Sequence, residues 1–334
     1  LYELVGVITN LIGGWVTSFY GIKRMLSLGV LLQIFGLCLL SFYTSSWGLY
    51  SSIIWIMIAQ GISGIAKDIS KTSSKSAVKI VSGDGNGLLF KWVSWFTGLK
   101  NISKGLGFFF GSLLIEIIGF HYSLYTLILL LSLCLFSLIL LESNLGLLKP
   151  SKTLKTFLSK SSNINTLSLA RLFLFGSRDI WFVVGLPLFL YSAGWSFWQV
   201  GSFIALWIIG YGFCQSFIPV LIKRSNDGLS LEVSSAKFWI FMLGVIQTAL
   251  LVLLAISNHN ISAEKILTFG LIIYGGVFAV NSALHSYLIL AYSNKNSVAE
   301  DIGFYYSSNA LGRFFGTFLS CLLYTSDAAD DSYR

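Results

Sequence analysis

"LGFFFGSLL" at residues 106–114 returns, with three changes, as "LGRFFGTFL" at residues 311–319. Both copies lie inside long apolar segments. A membrane-spanning helix needs about 20 predominantly apolar residues. The chain offers ten segments of roughly that length or more: 1–20, 27–45, 48–80, 87–119, 121–141, 165–192, 197–222, 237–257, 266–291 and 302–325. A polar, basic stretch at 142–164 divides them. Counted outward from it, each copy of the repeat falls in the fifth span of a six-span half, provided one span is missing at each end. The expectation is therefore an all-α membrane protein of two six-helix halves. Residues 1–141 would be helices 2–6, 142–164 a central loop, 165–325 helices 7–11, and the acidic 326–334 a non-native tail.

Composition agrees. Of 334 residues, 55% are hydrophobic and 11% are charged, against about 25% charged in a soluble domain. Mean hydropathy is +0.78. No period-2 alternation bounded by turns occurs, which argues against a membrane barrel. The net charge of +8 belongs in loops on one side of a membrane, so it does not imply nucleic-acid binding. Cys38, Cys134, Cys214 and Cys321 fall in four separate apolar segments, a spacing unsuited to a disulfide framework or a zinc site. Three scattered histidines make no metal or catalytic cluster. No catalytic residue, metal or cofactor is expected, and a polytopic membrane enzyme is a remote alternative.

Lysine and arginine set the orientation. Lys23 and Arg24 follow the first segment, Lys149, Lys152, Lys155 and Lys160 lie in the central stretch, Lys223 and Arg224 follow the seventh, and Lys295 follows the ninth. The alternate connections near 44–48, 119–122 and 193–197 carry neither residue, and the one near 258–265 carries Lys265 alone. The basic set is expected in the cytoplasm and the protein in the inner (plasma) membrane. "GGWVTSFYGIKRML" (13–26) resembles the gating signature between the second and third helices of the major facilitator superfamily. Gly14, Gly21, Lys23 and Arg24 fit it, but Ser18 stands where the family usually has Asp. That departure leaves the usual gating salt bridge without its acid.

The apolar segments carry charge. Lys67, Lys71, Lys75 and Lys79 recur every four residues, which stacks them along one helix face. Lys67 and Lys100 stand at similar distances on either side of a hairpin tip near residue 84, and Lys104 lies one turn beyond Lys100. Lys75 and Lys79 are expected at a mouth, where water screens them. Arg171 and Arg178 share a face, Asp179 adjoins the second, and Arg313 replaces a Phe of the repeat. A charge at the bilayer centre costs about 2.5–3.5 kcal/mol on insertion scales. These side chains should face a cavity or pair with the few acids present, Glu3, Asp68 and Asp179. Cations outnumber acids, which suits a multiply charged anionic substrate gripped by arginine forks and lysine point charges. Lys67, Lys71, Lys100, Lys104, Arg171, Arg178 and Arg313 are the candidate binding set. Glu3, Asp68, Asp179 and His285, whose ring titrates near neutrality, are candidate proton carriers.

"YELVGVITNLIGGW", "QGISGIAKDISKTSSKSAVK", "KWVSWFTGLKNISKGLGFFFG", "ARLFLFGSRDIWFVVGLP" and "FWQVGSFIALWIIGYGFCQSF" together resemble the ArsJ organoarsenical efflux permeases of that superfamily, over residues 1–320. The resemblance implies a monomeric transporter that exports 1-arseno-3-phosphoglycerate by alternating access, with antiport against protons, and so confers arsenate resistance. It also implies functional pairing with the glyceraldehyde-3-phosphate dehydrogenase that makes the compound. The alternative is an exporter of another organic phosphate or of a drug.

Overall fold

The computed structural model describes residues 2–44, 46–82, 88–140, 160–223, 225–257, 263–295 and 297–331, with backbone alone at 2, 108, 112 and 323–331. Lys149, Lys152, Lys155, Arg224, His259, the hairpin tip at 83–87 and the last three residues lie outside that set. The described residues form ten helices and no strand: α1 (Tyr2–Tyr20), α2 (Ile22–Ser41), α3 (Leu49–Ser82), α4 (Leu88–Leu140), α5 (Ser162–Phe182), α6 (Gly185–Ser192), α7 (Phe197–Leu221), α8 (Ser230–Ala255), α9 (Ala263–Tyr292) and α10 (Val298–Asp331). Seven helical stretches are long and apolar enough to cross a membrane. The chain is a multi-pass membrane protein, and large apolar side chains such as Ile8, Phe35, Leu129 and Phe241 lie exposed on its helices, as lipid-facing residues do.

The breaks between helices have local causes. α1 gives way to α2 at Gly21, whose φ of 84° lies in a region that side-chain-bearing residues rarely adopt. The turn expected at 119–122 is a single residue, Gly119, at which two helical stretches of α4 meet. The segment expected as one span at 165–192 is divided between α5 and α6. Pro187 has no N–H to give Val183, so the helical ladder opens there. Ser196 starts α7 with a capping box: its Oγ accepts from the Gln199 amide, and its own amide donates to Gln199 Oε1 at 2.8 Å.

The chain forms two compact units. The first comprises Leu1–Val81, Gly111–Ile180 and Tyr292–Leu319. Within it, helices meet backbone to backbone at small residues, as membrane helices do. A Cβ on Gly14 would lie 2.6 Å from the Ala299 carbonyl oxygen and 2.8 Å from Gly303 Cα. Where α5 crosses α10, a Cβ on Gly312 would collide with the Leu172 carbonyl, and one on Gly316 would stand 2.6 Å from the Gly176 carbonyl oxygen. The second unit comprises Ser82–Phe110, Trp181–Ala291 and Ser320–Arg334. Its most enclosed element is α9, buried without interruption from Phe278 to Leu290. Leu271 of α9 forms an apolar cluster with Leu186 and Leu190 of α6 and Val200 of α7.

The two copies of the repeat differ in use. Gly107 and Gly111 face open space, whereas Gly312 and Gly316 sit in the α5–α10 crossing. Gly312→Ala should therefore lower the unfolding temperature of the detergent-purified protein, through overpacking of about 1–3 kcal/mol. Gly107→Ala should leave it unchanged or raise it slightly, since alanine favours a helix over glycine by about 1 kcal/mol. Equal losses at both positions would show that the crossing is not what Gly312 serves.

Candidate functional site

The four-residue spacing of the α3 lysines describes a spiral rather than a straight ladder. Four residues turn an α-helix through one revolution and about 40° more. From Lys67 to Lys79 the side chains swing through about a third of a circle. Lys67 accordingly lies exposed, Lys71 is partly buried, and Lys75 and Lys79 are buried. Lys75, expected at a screened mouth, is 1% exposed. Its Nζ lies 5.3 Å from the Tyr306 ring centre and 6.0 Å from that of Tyr305. Lys71 Nζ lies 4.3 Å above Tyr306 and donates to Asp68 Oδ1 at 2.8 Å.

The centre of the first unit is Asp179, with 0% exposure. Arg178, the next residue along α5, donates from Nε to its Oδ1 at 2.6 Å. Arg313 of α10 donates from Nε to its Oδ2 at 2.9 Å. One carboxylate thus holds two guanidinium groups from two helices. The glycine crossing brings the helices close enough for it, because Gly312 precedes Arg313 and Gly176 stands three residues before Asp179. Arg313 turns its NH2 to Glu3 Oε1 of α1 at 2.8 Å. The side chain of Glu3 is 17% exposed and that of Arg313 31%.

A second arginine system adjoins the first. Arg171 is buried, donates from Nε to Asn309 Oδ1 at 2.9 Å, and lies 3.9 Å from the Phe175 ring centre and 5.2 Å from that of Tyr305. Arg178 lies 4.6 Å from the same Phe175 ring. The two guanidinium carbons are therefore no further apart than those two spans laid end to end. Residues 171, 175 and 178 share one face of α5, and 305, 309 and 313 one face of α10. The site is where these faces meet.

The expected surplus of uncompensated cations is corrected in part. Lys71, Arg178 and Arg313 each face a carboxylate, supplied by Asp68, Asp179 and Glu3. Arg171 and Lys75 add two positive charges set against aromatic rings. Buried ion pairs roughly break even against apolar packing, so stability does not account for four of them, made by six charged groups on four helices. Intramembrane ionisable groups that face one another make this the candidate functional site.

The candidates do not all gather. Lys100 and Lys104 lie exposed on α4, and His285 is buried on α9, all three in the second unit. Asn309, Phe175, Tyr305, Tyr306 and Lys75 were not among the candidates. The four-residue spacing of 305, 309 and 313, the same signal that marked the lysines, would have found the α10 set.

The signature region forms a second site at one end of the first unit. Lys23 Nζ donates to the Ile139 carbonyl at 3.0 Å, and Arg24 is exposed. Ser18 Oγ lies 3.1 Å from Glu300 Oε1. Lys160, the first described residue of the central stretch, reaches Asp301 Oδ1 at 3.0 Å and Glu300 Oε2 at 3.7 Å. The acid absent at position 18 is present across the contact, on α10, where Glu300 and Asp301 also favour the positive end of the helix dipole.

Three comparisons bear on this arrangement. The family model for the Major Facilitator Superfamily matches residues 1–317. No curated protein sequence matches the chain. Among solved structures, the human organic anion transporter MFSD10 superposes with a TM-score of 0.72 at 15% identity, over 95% of this chain and 75% of that one. The proton:xylose symporter XylE gives 0.72 at 12% identity, over 98% and 78%. A bacterial homologue of the iron transporter ferroportin, in an outward-facing state, gives 0.73 at 16% identity, over 96% and 82%. At these identities the likeness is one of fold.

Proposed function

The chain belongs to the major facilitator superfamily, a family of membrane transporters for small molecules, and we propose that it is an efflux transporter for an anionic organoarsenical, 1-arseno-3-phosphoglycerate. The observation that carries this reading is the pair of arginine systems flanking Phe175. Arginine forks match the oxygens of phosphate and arsenate, and two forks a short span apart suit a short carbon chain with an oxyanion at each end. Lys71 adds a point charge beside them. The resemblance of the five sequence blocks to the ArsJ permeases supplies the arsenic. On this reading residues 1–141 and 165–325 are the two moving halves, the central loop is cytoplasmic, and protons are coupled to export through Glu3, Asp68, Asp179 or His285. Lys67 of the first unit, and Lys100 and Lys104 of the second, remain candidate contacts for the anion on this reading, and Lys→Gln at each tests them.

The chain, expressed in arsenate-sensitive cells, should lower arsenic accumulation only when a glyceraldehyde-3-phosphate dehydrogenase is expressed with it. Protection without the dehydrogenase, or against arsenite alone, would remove the organoarsenical. A second reading, export of an arsenic-free organic phosphate, has the same forks in its favour. It predicts no protection, together with export of 3-phosphoglycerate from loaded vesicles.

A further inference from the structure

Arg313 has two carboxylate partners of different standing. Asp179 is sealed at 0% exposure and also holds Arg178. Glu3 is 17% exposed and holds Arg313 by NH2 alone. An anion arriving at Arg313 can displace the second without dismantling the first. We propose that Glu3 is the exchangeable counter-ion of the site: the substrate's oxyanion takes its place on Arg313, and the released Glu3 carboxylate takes up one proton.

The surroundings of Glu3 dictate the proton. Facing it are Arg313 from α10, Asp179 from α5, and Asp68 and Lys71 from α3. Asp179 is engaged by Arg178 and Asp68 by Lys71. When Arg313 turns to the substrate, Glu3 is left largely buried and without its cation, next to a new anion and two carboxylates that are already paired. In a low-dielectric site a carboxylate so placed is held neutral. The step is an acid–base exchange: one ion pair breaks, another forms, and one proton moves from water to Glu3. On release of the substrate, the proton leaves and the Glu3–Arg313 pair closes again.

The sign of coupling follows, and it reverses the antiport that the family resemblance implies. Competition between a carboxylate and an anion for one arginine makes proton and substrate bind together. Export then carries the anion and its proton in the same direction. An inside-negative membrane potential drives it whenever the substrate bears more than one negative charge, because net negative charge still leaves.

This deepens the anion-export reading of the same site, and the test separates the two. The probe is 3-phosphoglycerate, titrated calorimetrically into the purified full chain between pH 7.5 and 9, where the phosphate (second pKa about 6) is fully ionised. Two buffers of different ionisation enthalpy count the protons. The native protein should take up one proton per ligand, and affinity should weaken about tenfold per pH unit. Glu3→Gln should bind as tightly or more tightly, with no proton uptake and a flat pH profile. Proton release on binding, or unchanged uptake in Glu3→Gln, overturns the proposal.

A ligand-free arm covers the case in which 3-phosphoglycerate does not bind. Arg313→Gln should give an infrared band of one protonated carboxyl at pH 7, absent from Arg313→Gln/Glu3→Gln. That band with no ligand binding supports the exchange and counts against the organic-phosphate reading. Its absence from Arg313→Gln, or its persistence in the double variant, overturns the exchange.

Discussion

Asp179→Ala should strip the folded protein from the membrane. The carboxylate is fully buried and holds Arg178 and Arg313 at once. Breaking a buried pair by removing one partner costs about 3–5 kcal/mol, because the other charge is left without compensation. Arg313 retains Glu3, so the full cost falls on Arg178 and the total lies nearer one broken pair than two. Against a stability of about 5–15 kcal/mol, that loss removes most of the margin of a protein at the low end. Size-exclusion profiles of the detergent extract after a heating series should show the monodisperse peak disappearing at a markedly lower temperature. The decisive companion is Asp179→Ala/Arg178→Leu. Taking out the stranded cation as well as the acid should recover most of the loss, since apolar side chains replace buried pairs at little cost. A double variant as unstable as the single one would mean that Asp179 serves packing, not charge balance. Arg178→Lys should fold but transport poorly: Nε and NH2 both reach Asp179 Oδ1, and a lysine has no such fork.

The apolar segments were legible because apolar length is a local property, and so were the charges inside them, although two expected segments join in α4 and one divides into α5 and α6. What the chain order hides is which charges meet. Arg178 and Asp179 are neighbours in sequence and their pairing could be read directly; Arg313 reaches Asp179 across 134 positions, and nothing local announces that. The same limit applies to the counterpart of Ser18. The missing acid was visible, but its replacement lies 282 positions away on another helix. The lysine spacing misled in a different way. A period of four is close to the helical period without equalling it, so regular spacing carried Lys67 to the surface and Lys75 to the interior. Gly119 was legible as a turn residue, but its single-residue break was not. The four glycines of the two repeats look alike in sequence, yet only those with a partner helix are crowded. Gly107 and Gly312 occupy equivalent positions and meet opposite surroundings.

Lys160→Glu should drive α10 away from the stretch that leads into α5 and, by displacing Glu300, loosen the contact that Ser18 of α1 makes with it. In the native protein Glu300 and Asp301 are adjacent, almost fully buried and neutralised in part by Lys160. Reversing that one charge places three carboxylates together. At an effective dielectric constant near 20, two like charges about 4 Å apart repel by about 4 kcal/mol, and the new residue meets two of them. About 5.5 kcal/mol suffices to turn a two-state ratio of 99:1 into 1:99. At this end α1 meets α10 through the backbones of Gly14 and Gly303 and through the Ser18–Glu300 hydrogen bond, so a displaced Glu300 loosens it. The readout is Thr17→Cys, placed on the buried face of α1 beside the contact, after replacement of Cys38, Cys134, Cys214 and Cys321. A soluble thiol reagent should label it slowly in the native background and at least tenfold faster with Lys160→Glu. Adding Glu300→Lys to Lys160→Glu restores one opposite-charge pair across the same gap, and labelling should slow again. A double variant that labels as fast as Lys160→Glu would mean that the charge pair does not govern the contact; so would equal labelling in all three proteins, with the glycine packing then holding α1 to α10 by itself.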